Sequence, residues 1–325
     1  MAWLSLFLVR RLLKAAGILF VIVLINFALI RAAPGDPATV MAGEAGAGDA
    51  EYVERLRERF GLNEPLHTQM FVYVTNVFQG DLGFSYRQNQ PVMGLILERL
   101  PATLLLTVTA FVFALAMGIL LGTLAAANVG RWSDTAITTL ALISYATPLF
   151  WLGLMLILLF SVQLGWLPSF GYESTGRDYE GLARALDVGR HLVLPVLTLG
   201  LFYMAVYTRL ARSSILEVHE MDFVKTARSK GVSERNVMVR HILRNALLPV
   251  ITFAGFQAGH LIGGSILVET VFAWPGIGRL AFDALIQRDY PVLLGVFVVT
   301  SVLVLAFNIV TDLIYTLIDP RIEVS

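Results

Sequence analysis

Five long stretches of this 325-residue sequence contain no Asp, Glu, Lys or Arg, and they decide its fold class. They run from 17 to 38 residues and cover 100–130, 135–172, 192–208, 245–268 and 290–311. A bilayer core of about 30 Å is crossed by roughly 20 apolar residues in a helix. The sequence therefore predicts an all-α polytopic membrane protein.

The composition excludes most soluble classes. Hydrophobic residues make up 57% of the chain and charged residues 15%, whereas soluble domains carry about 25% charged residues. The 24 basic and 24 acidic residues are clustered, which excludes a soluble enzyme, a disordered chain and a nucleic-acid binder with a broad basic face. The absence of cysteine excludes a disulfide framework, thiol catalysis and Cys-ligated metal.

We predict six transmembrane helices from the apolar runs. Their ranges are 12–30, 103–127, 138–164, 192–210, 248–269 and 292–316. The 38-residue stretch is interpreted as one long span that Pro148 kinks near its start.

The first apolar run has an alternative interpretation. Arg10, Arg11 and Lys14 followed by apolar residues are also typical of a cleaved signal peptide. The run 15–30 is long for such a peptide, and the residues that follow it make a poor cleavage site. We therefore prefer a retained membrane helix.

The distribution of basic residues predicts the orientation. With the N-terminus inside, thirteen Lys and Arg residues fall in cytoplasmic segments and five fall in the two short outside loops. Short cytoplasmic loops are enriched in basic residues. The chain is therefore expected to be N-in and C-in.

The predicted spans divide the chain into three parts. Residues 1–30 hold the cytoplasmic N-terminus and the first span, 31–100 form an extracytoplasmic segment, and 101–325 form the membrane core. Within 31–100, the alternating charges of 51–59 predict a short solvated helix that ends at Gly61. A wet helix face explains these charges better than a catalytic carboxylate site does.

A basic cytoplasmic loop at 209–247 carries eight of the 24 basic residues. Asp222 is expected to N-cap a helix over 223–230 and Gly231 to end it, with a second helix after Ser233. Charge alone leaves two interpretations open: a rigid projection for a cytoplasmic partner, or a loop that contacts lipid phosphates.

Small residues recur every fourth position in the second and fifth spans, a pattern that lets helix backbones approach closely. They are Ala114, Gly118, Gly122 and Ala126 in the second, and Gly255, Gly259 and Gly263 in the fifth. Gln257 and His260 flank the latter face. Polar groups at membrane depth suggest a translocation pathway, although a lone histidine in a span is more often a packing residue.

Several kinds of chemistry are missing from the sequence. It has no phosphate-binding G-x-x-x-x-G-K-[ST] motif, no H-E-x-x-H and no G-x-S-x-G. Acidic residues are absent from the predicted spans except at their ends, at Glu269 and Asp312, which argues against a proton relay. A transporter with neither feature must take its energy from a partner.

Seven short blocks are spread over almost the whole chain. They are PGDP at 34–37, FGLNEPL at 60–66, GDLGFS at 80–85, RLPATL at 99–104, VETVFAWPGIG at 268–278, RDYPV at 288–292 and DPRI at 319–322. In their order and spacing these blocks resemble the permease subunits of bacterial dipeptide/oligopeptide-type ABC importers.

The basic loop is similar to the "EAA" loop of these importers, which reads E-A-A-x-x-x-G and then I-x-L-P. In DFVKTARSKG at 222–231, Lys225 occupies the Glu position and Thr226 that of the first Ala, whereas Ala227 and Gly231 match. The resemblance implies a coupling helix that docks in a groove of an ATPase subunit. Its candidate residues are Asp222, Phe223, Lys225, Thr226, Ala227, Arg228 and Gly231.

The resemblance also implies the other subunits of the importer. We expect a type I ABC importer permease fold in the bacterial inner membrane, working with a homologous permease subunit, two cytoplasmic ATPase subunits, an extracytoplasmic substrate-binding protein and membrane lipid. This chain would bind no cofactor and catalyse no reaction, with ATP and magnesium held by the ATPases. Asp81, Trp274 and Arg288 are candidate extracytoplasmic partner contacts.

The expected cargo is a di- or oligopeptide. Nickel complexes, glutathione or oligosaccharides remain alternatives within the same machine. Alternatives of another class are an intramembrane enzyme, which would need Ser/His or paired Asp residues within the spans, and a self-sufficient secondary carrier.

Overall fold

A computed structural model describes residues 2–32, 49–59, 63–177 and 179–318. Gly61 and the blocks at 34–37 and 319–322 therefore lie outside the described residues. The described helices are α1 (Ala2–Ala32), α2 (Ala50–Arg59), α3 (Leu66–Phe78), α4 (Val92–Ala127), α5 (Trp132–Ala146), α6 (Leu149–Leu156), α7 (Gly181–His219), α8 (Asp222–Ser229), α9 (Glu234–Asn236), α10 (Arg244–Val271), α11 (Ile277–Gln287) and α12 (Tyr290–Ile318). Two π-helical segments, π1 (Ile157–Gln163) and π2 (Val237–Leu243), and a hairpin of β1 (Phe84–Ser85) and β2 (Gln90–Pro91) complete them.

The membrane spans agree with the predicted fold class. Five described helical segments are long and apolar enough to cross a bilayer, and the bent pair formed by α5 with α6 and π1 brings the number to six. The five are Val9–Leu29, Val92–Ala127, Gly181–His219, Glu234–Gln257 and Tyr290–Thr311.

The stretch predicted as one span over 138–164 with a kink at Pro148 is broken there into two helices. The chain breaks between α5 and α6, and the two halves are bent by 108°. Pro148 lacks a backbone N–H and disfavours helical geometry at the residue before it. Thr147 accordingly has an extended backbone, with φ −79° and ψ 129°.

The chain forms two compact units. The first comprises Met1–Pro101 and Leu280–Ala306. Within it, α3 packs against α1, where the rings of Tyr73 and Phe27 lie 5.9 Å apart. The β-hairpin is held by Ser85, whose hydroxyl donates to the Asp289 carboxylate at 2.5 Å.

The second unit comprises Ala102–Arg279 and Phe307–Ser325. The small-residue face predicted on the second span packs here against α7. A Cβ at Gly122 would lie 2.7 Å from the Ala211 Cβ, and a Cβ at Gly118 would clash with Tyr207. The function of these glycines is therefore helix packing within the chain.

The helical backbone is continuous from α9 through π2 to the end of α10. Val237 and Arg244, at the two junctions, both have right-handed helical dihedrals. The 38 residues from 234 to 271 thus form one continuous helical segment, which has Pro249 inside it and which we call the rod. Its length along the axis is roughly 55 Å at the rise of an α-helix.

Candidate functional site

The candidate coupling helix is α8, between the end of α7 and the rod. It begins one residue earlier than predicted, with Met221 in the N-cap position at φ −71° and ψ 148°. The expected N-cap role of Asp222 is therefore wrong, because this residue is already inside the helix. Its carboxylate instead accepts from Lys225 Nζ at 3.2 Å.

One face of α8 anchors it to the rest of the chain. Val224 is fully buried and Ala227 is 6% exposed, at the i, i+3 spacing of one helix face. Both belong to an apolar cluster, which we call the anchor cluster, with Ile215, Val218, Val237, Ile242 and Ala246. Ala227 thus packs inside this chain, so we do not expect it to contact a partner.

The opposite face of α8 is open to solvent. Phe223, Lys225, Thr226 and Ser229 are exposed, and Phe223 leaves 41% of its surface uncovered. An exposed aromatic residue among polar residues, on a short helix anchored from behind, is suited to docking in a groove of another protein.

Arg228 connects α8 to the helix before it and to the helix after it. Its guanidinium donates from Nε and Nη2 to the two carboxylate oxygens of Glu234, at 2.8 and 3.2 Å, and Nη2 also contacts His219 Nε2 at 2.7 Å. Since His219 ends α7 and Glu234 begins α9, Arg228 joins three elements. It therefore orients α8 rather than belonging to its exposed face.

Gly231 reverses the chain after α8. Its φ is +77°, and a Cβ there would meet nothing within 4 Å. The glycine is thus required by the backbone conformation and not by lack of space.

The two candidate pathway residues lie on α10. The Gln257 side chain hydrogen-bonds to the hydroxyl of Tyr203 on α7. The side chain of His260 lies outside the described residues. Gln257 therefore joins two helices, and a role in the pathway stays a prediction for both residues.

The three candidate external contacts differ in burial. Asp81 is exposed and accepts from the Gly83 N–H at 2.9 Å, in the turn before β1. Arg288 is exposed at φ +58°, after α11. Trp274 is completely buried, and its indole N–H donates to the Ala102 carbonyl at 2.8 Å. The structure thus argues against Trp274 as a partner contact.

The burial of two acidic residues in the second unit was not predicted from the sequence. Glu269 is completely buried. Asp134 forms a two-pronged ion pair with Arg212, whose Nε and Nη2 donate to its two oxygens at 2.7 and 2.8 Å. Lone acidic residues beside apolar runs are a signal for buried, partnered groups, but Arg212 is 78 residues from Asp134 in the chain and Thr103 is 166 residues from Glu269.

Metal binding has no support in the described residues, which hold no group of three or more His, Asp or Glu placed to share an ion.

Two family matches cover the chain. Residues 118–324 match the binding-protein-dependent transport system inner membrane component. Residues 4–107 match the N-terminal part of the membrane component of the same transport systems.

Named relatives match over nearly their whole length. The oligopeptide transport system permease protein AppB of Bacillus subtilis is 42% identical, covering 98% of this chain and 99% of AppB. The di/tripeptide transport system permease protein DppB of Pseudomonas aeruginosa is 43% identical, and the glutathione transport system permease protein GsiC of Escherichia coli 41%, each with 98% of both chains covered.

Solved structures support the fold. A chain of the MetNI methionine ABC transporter, in an inward-facing crystal form, superposes with a TM-score of 0.56 at 19% identity. The match covers 70% of this chain and 97% of that one. At this identity the likeness concerns the fold alone.

Proposed function

The chain belongs to the family of binding-protein-dependent transport system inner membrane components, and from this premise we propose that it imports peptides. It is a multi-pass permease subunit of an ABC importer in the inner membrane, and not an enzyme. The family description implies an external binding protein and an ATPase. Its transport role disfavours an intramembrane enzyme.

The assembly we propose contains two ATPase subunits, a second, homologous permease subunit and one binding protein. ATP and magnesium would be held by the ATPases. The two permeases would enclose the pathway, with Gln257 and His260 as candidate lining residues. The binding protein would deliver its cargo at the outer face, where Asp81 and Arg288 are exposed.

The observation that supports coupling to an ATPase is that α8 has one buried face and one exposed face. Val224 and Ala227 hold the helix against the anchor cluster, while Phe223, Lys225 and Thr226 face outward. A short helix fixed in this way can pass a rigid-body movement from a docked ATPase to the membrane helices on either side of it.

Substitution of Phe223 tests the docking surface. We expect Phe223→Asp to weaken ATPase association by about 2 kcal/mol or more, as for a buried aromatic anchor, and to abolish ATP-dependent uptake in proteoliposomes. Phe223→Leu, which keeps an apolar side chain, is the matched control. Normal ATPase binding and uptake with Phe223→Asp would contradict the assignment.

Site-directed cross-linking gives a second test of the same surface. The chain has no cysteine, so Thr226→Cys introduces a single reactive thiol on the exposed face. We expect it to cross-link to the ATPase subunit through a short bifunctional reagent. A cysteine at Gln287, on α11, should give no such product.

The cargo proposal rests on relatives whose names specify oligopeptides and di/tripeptides. Glutathione is the second candidate, because GsiC is equally similar. Uptake of a labelled dipeptide, in competition with longer peptides, glutathione and nickel complexes, separates these possibilities. Absence of dipeptide uptake, together with uptake of labelled glutathione or a nickel complex, would overturn the peptide proposal.

A further inference from the structure

A buried carboxylate lies at the end of the rod opposite to the coupling helix. The rod starts at Glu234, which is bound to Arg228 of α8, and its last turn contains Glu269, which has no exposed surface. The two ends of one continuous helix thus hold the coupling helix and a buried acid.

Glu269 is surrounded by donors from three parts of the second unit. Its Oε1 accepts from the hydroxyls of Thr103 at 2.8 Å and Ser265 at 3.0 Å. Its Oε2 accepts from the backbone N–H of Arg279 at 2.9 Å. The carboxylate therefore joins α4, α10 and the first turn of α11.

Thr103 completes the hydrogen-bonded connection between α4, α10 and α11, which we call the Glu269 link. Its hydroxyl donates to Glu269 and also accepts from the Ile277 N–H at 2.8 Å. The first N–H groups of a helix have no partner within the helix. At α11 they are satisfied by Glu269 and Thr103, so the start of this helix is fixed to the end of the rod.

The intervening segment is packed tightly around the acid. A Cβ at Gly276 or Gly278 would overlap the Glu269 side chain. Within the same segment, Arg279 Nη1 donates to the Ala273 carbonyl at 2.8 Å. With Trp274 bound to Ala102, residues 272–279 are held at many points.

We propose that Glu269 is a positioning residue that makes the outer end of the rod and residues 272–279 move as one body. Movement of the coupling helix then changes the outer surface that the binding protein meets, and binding-protein docking acts in reverse on the ATPases. This inference rests on the proposed importer function. It requires that docking and ATP hydrolysis be coupled through the Glu269 link.

Two substitutions at Thr103 separate the link from its packing. Thr103→Val keeps the shape but removes both hydrogen bonds, whereas Thr103→Ser keeps the hydroxyl. Glu269→Gln places an amide N–H₂ or a neutral oxygen opposite the Arg279 N–H, and so weakens the link in a second way. Each variant is assembled with its partner subunits in lipid nanodiscs.

The readout is ATPase activity with and without the binding protein loaded with alanine di- to pentapeptides. For Thr103→Val and Glu269→Gln we expect complex assembly and basal ATPase to be retained, and stimulation by the binding protein to fall at least about fivefold. Thr103→Ser should keep the wild-type stimulation.

Each outcome bears on the proposal. Full stimulation in Thr103→Val overturns it, and so does a parallel loss of assembly and basal activity, because the link is then merely structural. Absence of stimulation in the wild type is a failure of the proposed peptide function and is thereby distinguished.

Discussion

Two glycines of α4 differ in their surroundings: Gly122 is crowded and Gly94 is open. Replacing each by alanine therefore separates the effect of steric crowding from the effect of helix propensity. A Cβ at Gly122 would lie 2.7 Å from the Thr208 carbonyl oxygen, whereas a Cβ at Gly94 would meet nothing within 4 Å. We expect Gly122→Ala to lower the free energy of unfolding by about 1–3 kcal/mol and Gly94→Ala to raise it by up to about 1 kcal/mol. Thermal unfolding in detergent measures both, and equal shifts would contradict the packing of α4 on α7.

The ion pair of Asp134 and Arg212 allows a second comparison. The Asp134 side chain is only 8% exposed, so Arg212→Ala leaves a buried carboxylate without its partner. We expect a loss of about 3–5 kcal/mol of stability. Arg184→Ala breaks a pair of similar length that is about half exposed, and should cost far less, because water solvates both charges. Similar losses in denaturant unfolding would contradict this difference.

The structural role of a single residue could be predicted from the sequence where it depends on the backbone conformation alone. Gly231 was identified as a helix stop because few other residues adopt its positive φ. The burial of Trp274 was not predicted, and the N-cap of α8 was predicted one residue late, at Asp222. Both the burial of an indole and the start of a helix depend on groups that lie nearby in the fold. Ala102, for example, is 172 residues from Trp274 in the chain.

At the level of elements, the orientation of α8 depends on Arg228. Arg228→Ala removes its bonds to Glu234 and His219. We expect faster amide hydrogen exchange in α8, with exchange in α10 unchanged, because the anchor cluster alone then holds the helix. The control is Lys225→Ala, which breaks only an exposed pair with Asp222. Equal exchange in the two variants would contradict the role of Arg228.

The lengths of the apolar runs predicted most helices well, but they did not predict where the chain bends sharply within one run. The helices near 51–59 and 223–230 were found within a residue or two. The span over 138–164 was not found as two helices, because hydropathy reports the amount of apolar sequence and not its direction. Pro148 marked the place of the break but not its angle.

For the whole molecule, labelling of single introduced cysteines tests the predicted orientation in the membrane. Gln287→Cys on α11 should react with a membrane-impermeant maleimide in intact spheroplasts, and Ser229→Cys on α8 only after lysis, because the two positions are predicted on opposite sides. Both residues are exposed, and the chain has no cysteine of its own. Labelling of Ser229→Cys before lysis would contradict N-in, C-in.

The π-helical segment π2, which contributes Val237 and Ile242 to the anchor cluster, has a consequence for changes in chain length. Its wider turns advance each side chain by a smaller angle than an α-helix does. The segment thus sets the rotational phase of α10 relative to α8. The seven residues of π2 turn the chain by nearly the same total angle as about six residues of an α-helix. Deleting one residue with a return to α-helical winding would therefore keep Gln257 and Glu269 close to their present faces, whereas a deletion that kept the π winding would rotate them. The segment thus accommodates an extra residue without changing which face of α10 looks inward.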